Sequence, residues 1–274
     1  MAEFYNRTRR SSSIGNKLLR SGRLLELPIY WLLRTSDLAR EGFENSGSYR
    51  FADHIYRNQP SGRYFVGRWL DRRILKMQAV ESFRNRFFMA RDELARFLEE
   101  RMQRTGSVDV LSVPCGIPRD LVTAGDRHRA RGGSLERVRF HVLDLDEQVL
   151  SQARQFASEH GIAVTVHRGD ALDIRSYDDQ FDFITSTGFG EFLDDSQLKQ
   201  LYGVFHRLLR PGGVLVSSAM RRLPFADYLL RLAELKVHYR SPGDLASLAR
   251  AAGFVDVSTS SDDCSIQGFL KASK

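Results

Sequence analysis

From residue 109 onward, short apolar runs alternate with stretches whose apolar positions recur every three or four residues. VDVLSV precedes a helical segment opened by Pro118, and VRFHVLDL precedes a helix over Glu147 to Glu159. AVTVHR and FDFITST follow, then the helical pattern LKQLYGVFHRLLR closed by PGG, then VLVSSAM. Strands are apolar at successive positions when both faces of their sheet are covered, so the pattern predicts a doubly wound, mostly parallel α/β sheet. Helical stretches at PFADYLLRLAELK and SPGDLASLARAAG lead to two last runs, FVDVSTS and SIQGFLKA. Those runs predict a closing hairpin at one sheet edge and a seven-stranded sheet.

The first 105 residues carry a different rhythm. NKLLRSGRLLELPIYWLLRTSDLAREGF is apolar at helical spacing with Pro28 starting a new turn, and ESFRNRFFMARDELARFLEERMQR reads as one long amphipathic helix. Between them FADHIYRNQPSGRYFVGRWLDRR is rich in turn residues and arginine, and its YRN reads as a loop. The expected organisation is an N-terminal helical cap, 1–105, and an α/β domain, 106–274.

Charge sharpens that division. The net charge is +7, yet residues 1–105 hold 21 basic against 12 acidic side chains and the remainder 20 against 22. The basic leading part therefore suits phosphates, an anionic surface or an acidic substrate, and the core is near neutral. Cys115 and Cys264 are the only cysteines, too few for a disulfide framework and not clustered as zinc ligands. No apolar run approaches the roughly 20 residues of a membrane span, and MAEFYNRTRRSSS lacks an apolar signal core, so a cytoplasmic location is expected.

Ligands of such sheets bind outside the carboxyl ends of the strands, near the point where strand order reverses. Three stretches are expected on that rim. In SVPCGIPRDL, Gly116 stands where a Cβ would crowd a ligand, and Pro118 fits a first helical position because its missing N–H would be unpaired there anyway. In FHVLDLDEQVL a strand ends at Asp144, whose carboxylate can accept from both hydroxyls of a ribose. In HRGDALD, Asp170 can accept from an exocyclic adenine amine while Ala171 offers its N–H. Together they outline an adenosine site.

These stretches, with FDFITST, LLRPGGVLV and LARAAGFVDV, stand in the order seen in class I S-adenosylmethionine-dependent methyltransferases, which residues 105–274 resemble. The resemblance implies a Rossmann-like fold, S-adenosylmethionine as cofactor and S-adenosylhomocysteine as product. It implies cofactor contacts at Pro114, Cys115, Gly116, Asp144, Leu145, Asp170, Ala171, Ser186 and Thr187, with Arg57 contributed by the cap, and no metal. The loop departs from the family pattern at Ser112, which replaces an acidic residue, and at Pro114 and Pro118, which replace glycines. HIYRNQPSGRYFVGRWLDRRIL, FRNRFFMARDEL, GEFLDDSQL and VHYRSPGDLASLARAAGF further resemble a little-characterised bacterial group of methyltransferase-like proteins, which hints at acyl or lipid-like substrates.

Methyl transfer is a displacement at a sulfonium already primed to leave, so the protein must align the reactants, take up a proton and exclude water. Candidates on the acceptor side are Tyr56 and Arg57, Glu191, and His238 with Tyr239 and Arg240. Against each stands a bland alternative: Glu191 as an exposed loop acid, His238 as a surface histidine, Arg57 as an ion-pair partner of Asp53 or Asp71. His141, inside a parallel strand, and His206, within a helix, read as packed or surface residues rather than ligands. The stripe Leu18, Leu19, Leu24, Leu25, Trp31, Leu32 and Leu33 fits burial in the protein's own core, a homodimer contact or a peripheral membrane contact. The leading reading is a methyltransferase of small-molecule or lipid-like acceptors. Methylation of RNA or DNA is less favoured, because STGFGE lacks the Asn/Asp-Pro-Pro-aromatic motif of base amine methylation, and a non-catalytic binding or scaffold protein stands third.

Overall fold

The computed structural model describes residues 14–44, 49–102, 106–232 and 235–274. The chain forms two compact units, one of residues 1–84 with 222–236 and one of residues 85–221 with 237–274. The passage from the first to the second lies inside one helix, Gln78–Met102.

The second unit is built on one sheet of seven strands in the order β3-β2-β1-β4-β5-β7-β6. β1 (Val108–Ser112), β2 (Val138–Asp144), β3 (Val164–Arg168), β4 (Phe181–Ser186) and β5 (Leu209–Met220) are parallel, while β7 (Gln267–Ser273) runs antiparallel between β5 and β6 (Asp256–Ser261). The expected seven-stranded, mostly parallel sheet with a closing hairpin is therefore the fold. Every residue of β1 and β4 is buried, as continuous apolar runs require, and the STSS segment of β6 is exposed along the sheet edge. β5 begins at Leu209, ahead of the PGG turn that was read as its boundary, because Leu209 already pairs with Phe181. The later part of the long helix joins this core through Leu94 and Leu98, both fully buried, and Phe97, whose ring meets Phe183 at 5.1 Å.

Strand order reverses between β1 and β4. The helices after β1 (Arg119–Ala130), β2 (Glu147–Glu159) and β4 (Asp195–Leu208) start from turns at the carboxyl ends. Asp146 and Asp194 cap the latter two by accepting from the backbone N–H of Gln148 and Gln197. Pro118 occupies the N-cap of the first, one position ahead of where the pattern placed it.

The first unit is helical: Ile14–Arg20, Leu27–Leu33, Asp37–Glu44, Tyr49–Arg57, Tyr64–Leu75 and Pro224–Leu232, besides the start of the long helix. Leu18 is buried with Ile14, Tyr30 and Phe43, but Leu19, Leu24, Leu25, Trp31 and Leu32 are exposed and Leu33 is half-buried, so one stripe serves both core and surface. Asp71 is wholly buried and gathers this unit's turns, accepting from the Ser36 hydroxyl and from the N–H groups of Ser61 (2.9 Å) and Gly62 (2.7 Å). Such an acid must be satisfied on every side once it leaves water, which fixes the turn around it.

YRN does not form a loop. Tyr56 and Arg57 close the helix Tyr49–Arg57, held by the buried Ile55 and by the i,i+4 pair of Arg57 with Asp53 at 2.7 Å. The chain leaves that helix at Asn58, in the left-handed region at φ 51°. The turn residues that follow serve backbone contact. A Cβ on Gly67 would stand 2.1 Å from the Thr35 carbonyl oxygen, and one on Gly62 would stand 2.3 Å from the Gly67 carbonyl carbon. Gly67→Ala is expected to destabilise the full chain by about 1–3 kcal/mol, the usual cost of overpacking, measured by urea denaturation. Unchanged stability would show that the turn can open.

Candidate active site

The carboxyl ends of β1, β2 and β4 are joined by backbone hydrogen bonds that bring the sequence-selected residues together. The Val113 N–H donates to Thr185 O and the Cys115 N–H to Leu143 O, both at 2.9 Å. The Gly116 N–H donates to Oδ2 of Asp144 at 3.3 Å, the Asp146 N–H to its Oδ1 at 3.2 Å, and the Gly169 N–H to its carbonyl at 3.1 Å. Gly116 sits at φ 49° and the Val113–Pro114 peptide is cis. The turn with two prolines is thus tied to the end of β2 by main-chain donors rather than left open.

Asp144 is buried, and desolvation pushes its carboxyl above the usual range, opposed by the N–H groups it accepts from. The Leu145 N–H is a third backbone donor to this carboxylate. Leu145 is half-buried beside it. In the next turn Asp170 accepts from the Leu172 N–H at 3.0 Å, and Ala171 is buried with its carbonyl accepting from Tyr177 at 2.9 Å. Ser186 ends β4 fully buried, and its hydroxyl has no hydrogen-bond partner among the described residues; Thr187 beside it is half-buried. A buried hydroxyl of that kind is a donor held in reserve for a ligand or a water. Burial and the nearby Asp144 push the Cys115 thiol well up, which keeps it protonated and unsuited to nucleophilic work.

Two residues here escaped the sequence reading. Asp120, in the first turn of the helix after the loop, accepts from the Thr185 hydroxyl at 3.0 Å and so ties that helix to the end of β4. Desolvation pushes its carboxyl up. Arg86, from a helix read only as amphipathic, is buried and forms an ion pair with Glu191 at 3.1 Å, both side chains almost fully excluded from water. Its guanidinium lies against Gly188, at φ 85°, where a Cβ would come within 2.6 Å. The flanking phenylalanines of FRNRFF were the one sign that this arginine faces inward.

The reading of Glu191 as an exposed acid is overturned. Glu191 is 4% exposed, and burial pushes its carboxyl up against the opposing pull of Arg86. His238 is half-buried, and its N–H donates to the Glu191 carbonyl at 2.7 Å. Arg240, expected on the acceptor side, is instead buried and donates to Gly190 O (2.7 Å), Leu193 O (2.6 Å) and Asp195 (2.9 Å), clamping the loop that carries Glu191. Tyr56 and Arg57 belong to the first unit. The Tyr56 ring packs on Phe83 at 5.5 Å, and Arg57 answers Asp53, the ion-pair alternative.

Residues 110–213 match the family described as a methyltransferase domain. No curated protein matches the sequence. Among solved structures the chain is similar to a possible exported protein from Bordetella parapertussis, with TM-score 0.74, 23% identity, and 91% of this chain and 87% of that one covered. It is also similar to magnesium protoporphyrin IX methyltransferase from Synechocystis PCC 6803 with bound SAH (TM-score 0.54, 14% identity, 81% and 93% covered). A third is an O-methyltransferase family protein from Burkholderia thailandensis (0.51, 17%, 72% and 61%). At these identities the likeness concerns the fold. No helix among the described residues is long and apolar enough to cross a membrane.

The buried ion pair gives a direct test. Arg86→Met alone leaves the Glu191 charge uncompensated and is expected to cost about 3–5 kcal/mol in urea denaturation. Arg86→Met with Glu191→Leu should recover most of that loss, and equal losses in the single and double variants would show that the pair is not the stabilising unit. Residues 110–213 thus match a methyltransferase domain, and the strand order around them is the Rossmann-like architecture of the similar structures.

Proposed function

We propose that this chain transfers a methyl group from S-adenosylmethionine to a small-molecule or lipid-like acceptor. The observation that carries the reading is the pairing of Gly116 with Asp144, at the same edge of the sheet as the unpartnered Ser186 hydroxyl at the end of β4. Asp144 is assigned to the ribose hydroxyls, Asp170 and Ala171 to the adenine, and Pro114, Cys115, Gly116 and Ser186 to the methionine side. Bound there, the cofactor supplies an electrophilic methyl group on a sulfonium. The chain's own residues then have three tasks: to hold the acceptor in line, to receive its proton and to keep water away.

Glu191 is the group assigned to the proton. A desolvated carboxyl with a raised pKa is a stronger base than one in water, and the Arg86 pair together with the Arg240 clamp fixes where it stands. A small acceptor suits the first unit better than a polyanion does. Arg23, Arg34, Arg40 and Arg57 answer Glu26, Glu44, Asp37 and Asp53 within that unit, which leaves these four poorly placed to meet a phosphate backbone.

Asp144→Ala is expected to weaken binding of S-adenosylhomocysteine by about 1–3 kcal/mol in calorimetry, since the ribose loses a charged acceptor. The accepting form is the carboxylate, so wild-type affinity should fall as pH drops through the raised Asp144 pKa, above the ordinary value near 3.9. That fall should be missing in Asp144→Asn; equal affinity in all three proteins would place the cofactor elsewhere.

A further inference from the structure

Gly116, Asp144 and Ser186 gather at the carboxyl ends of their strands, and a second group of ligand-type side chains lies elsewhere on the same sheet. His141 is on β2 and His167 on β3. Side chains alternate between faces along a strand, so His141 points away from the face that carries Asp144. The two imidazoles are buried, stacked at an interplanar angle of 18°, and turn nitrogens toward each other, Nδ1 of His141 standing 3.0 Å from Nε2 of His167. Asp179, in the segment entering β4, brings Oδ2 to 3.9 Å from that same Nδ1. The three donor atoms all lie within 4.8 Å of one another.

We propose that His141, His167 and Asp179 bind a divalent transition-metal ion of the zinc type, at a site separate from the cofactor's. Two imidazoles and one carboxylate are the donor set of three-ligand zinc sites, which keep a fourth position for water. Ligands of a tetrahedral ion with bonds of about 2.0–2.1 Å stand roughly 3.3 Å apart. The histidine nitrogens need to part by only a few tenths of an ångström, and the half-exposed Asp179 can close its gap by turning its side chain.

The outer contacts carry the inference further. A ligating histidine is usually oriented by a carboxylate on its other nitrogen. Nε2 of His141 stands 3.3 Å from Oδ1 of Asp109, and Nδ1 of His167 stands 3.8 Å from Oδ2 of Asp178. Each imidazole thus has an acid near its far nitrogen and its near nitrogen facing the other ring. Asp109 is itself anchored by Arg139 and Arg210, so the outer partner is rigid. An ion here ties β2 and β3 to the entry of β4.

The test is titration of the chelator-treated full chain with Zn2+ in a calorimeter, and with Co2+ followed by its visible absorption. One ion per chain is expected, with the intense d–d bands of a tetrahedral Co2+ site. Asp179→Ala, at a half-exposed position, should weaken Zn2+ binding at least about tenfold, and His167→Gln should abolish stoichiometric binding. Folding of both variants is checked by circular dichroism, and the Asp179 variant decides alone if the other does not fold. S-adenosylhomocysteine affinity should stay unchanged in Asp179→Ala, which separates this site from the cofactor reading. No stoichiometric Zn2+ uptake by the folded wild type, or equal uptake by the variants, would overturn the proposal and leave the histidine pair as an internal hydrogen bond.

Discussion

A parallel sheet covered on both faces leaves its interior polar groups no water to turn to, and the second unit is organised around answering them. Asp109 and Asp182 lie buried near the amino ends of β1 and β4. Arg210 reaches both, at 2.7 and 2.6 Å, and Arg139 grips Asp109 with two hydrogen bonds of 2.6 Å. Burial works to raise the Asp109 carboxyl, and the arginines outweigh it, leaving it below the ordinary range. Those acids are saturated and fit a structural role.

At the carboxyl ends the balance tips the other way. Asp144, Asp120 and Glu191 are all pushed upward by desolvation, because the partners they have fall short of what burial removes. The same sheet therefore separates acids whose partners outweigh burial from acids whose partners do not. Arg86 and Arg240 sit between these roles. One neutralises Glu191 while the other locks the carbonyls of its loop, so the candidate base is costly to bury and held in place at once.

The turn after β1 shows how a departure from a family pattern is accommodated. Pro114 and Pro118 remove two donors, and the N–H groups of Cys115 and Gly116 go to β2. The turn's own backbone donors are thereby spent inside the fold, while the Ser186 hydroxyl is left without a partner among the described residues. Gly116 supplies the left-handed corner that lets the chain make this turn.

Apolar runs and their spacing determined the sheet, its hairpin and the position of Asp144 and Gly116 at strand ends, because periodicity reports directly on which positions meet a core. The helix Tyr49–Arg57 was hidden because Asn, Gln, Pro and Gly in the stretch that follows look like a loop, although Asp53 and Arg57 stood four residues apart. Tertiary structure alone decided that Arg86 meets Glu191, 105 residues later, and that His141 meets His167 across two strands. No local pattern encodes a pairing between distant residues. Such contacts exist only once the sheet has set the register, and it is burial in that register that gives an ordinary arginine, acid or imidazole its partner.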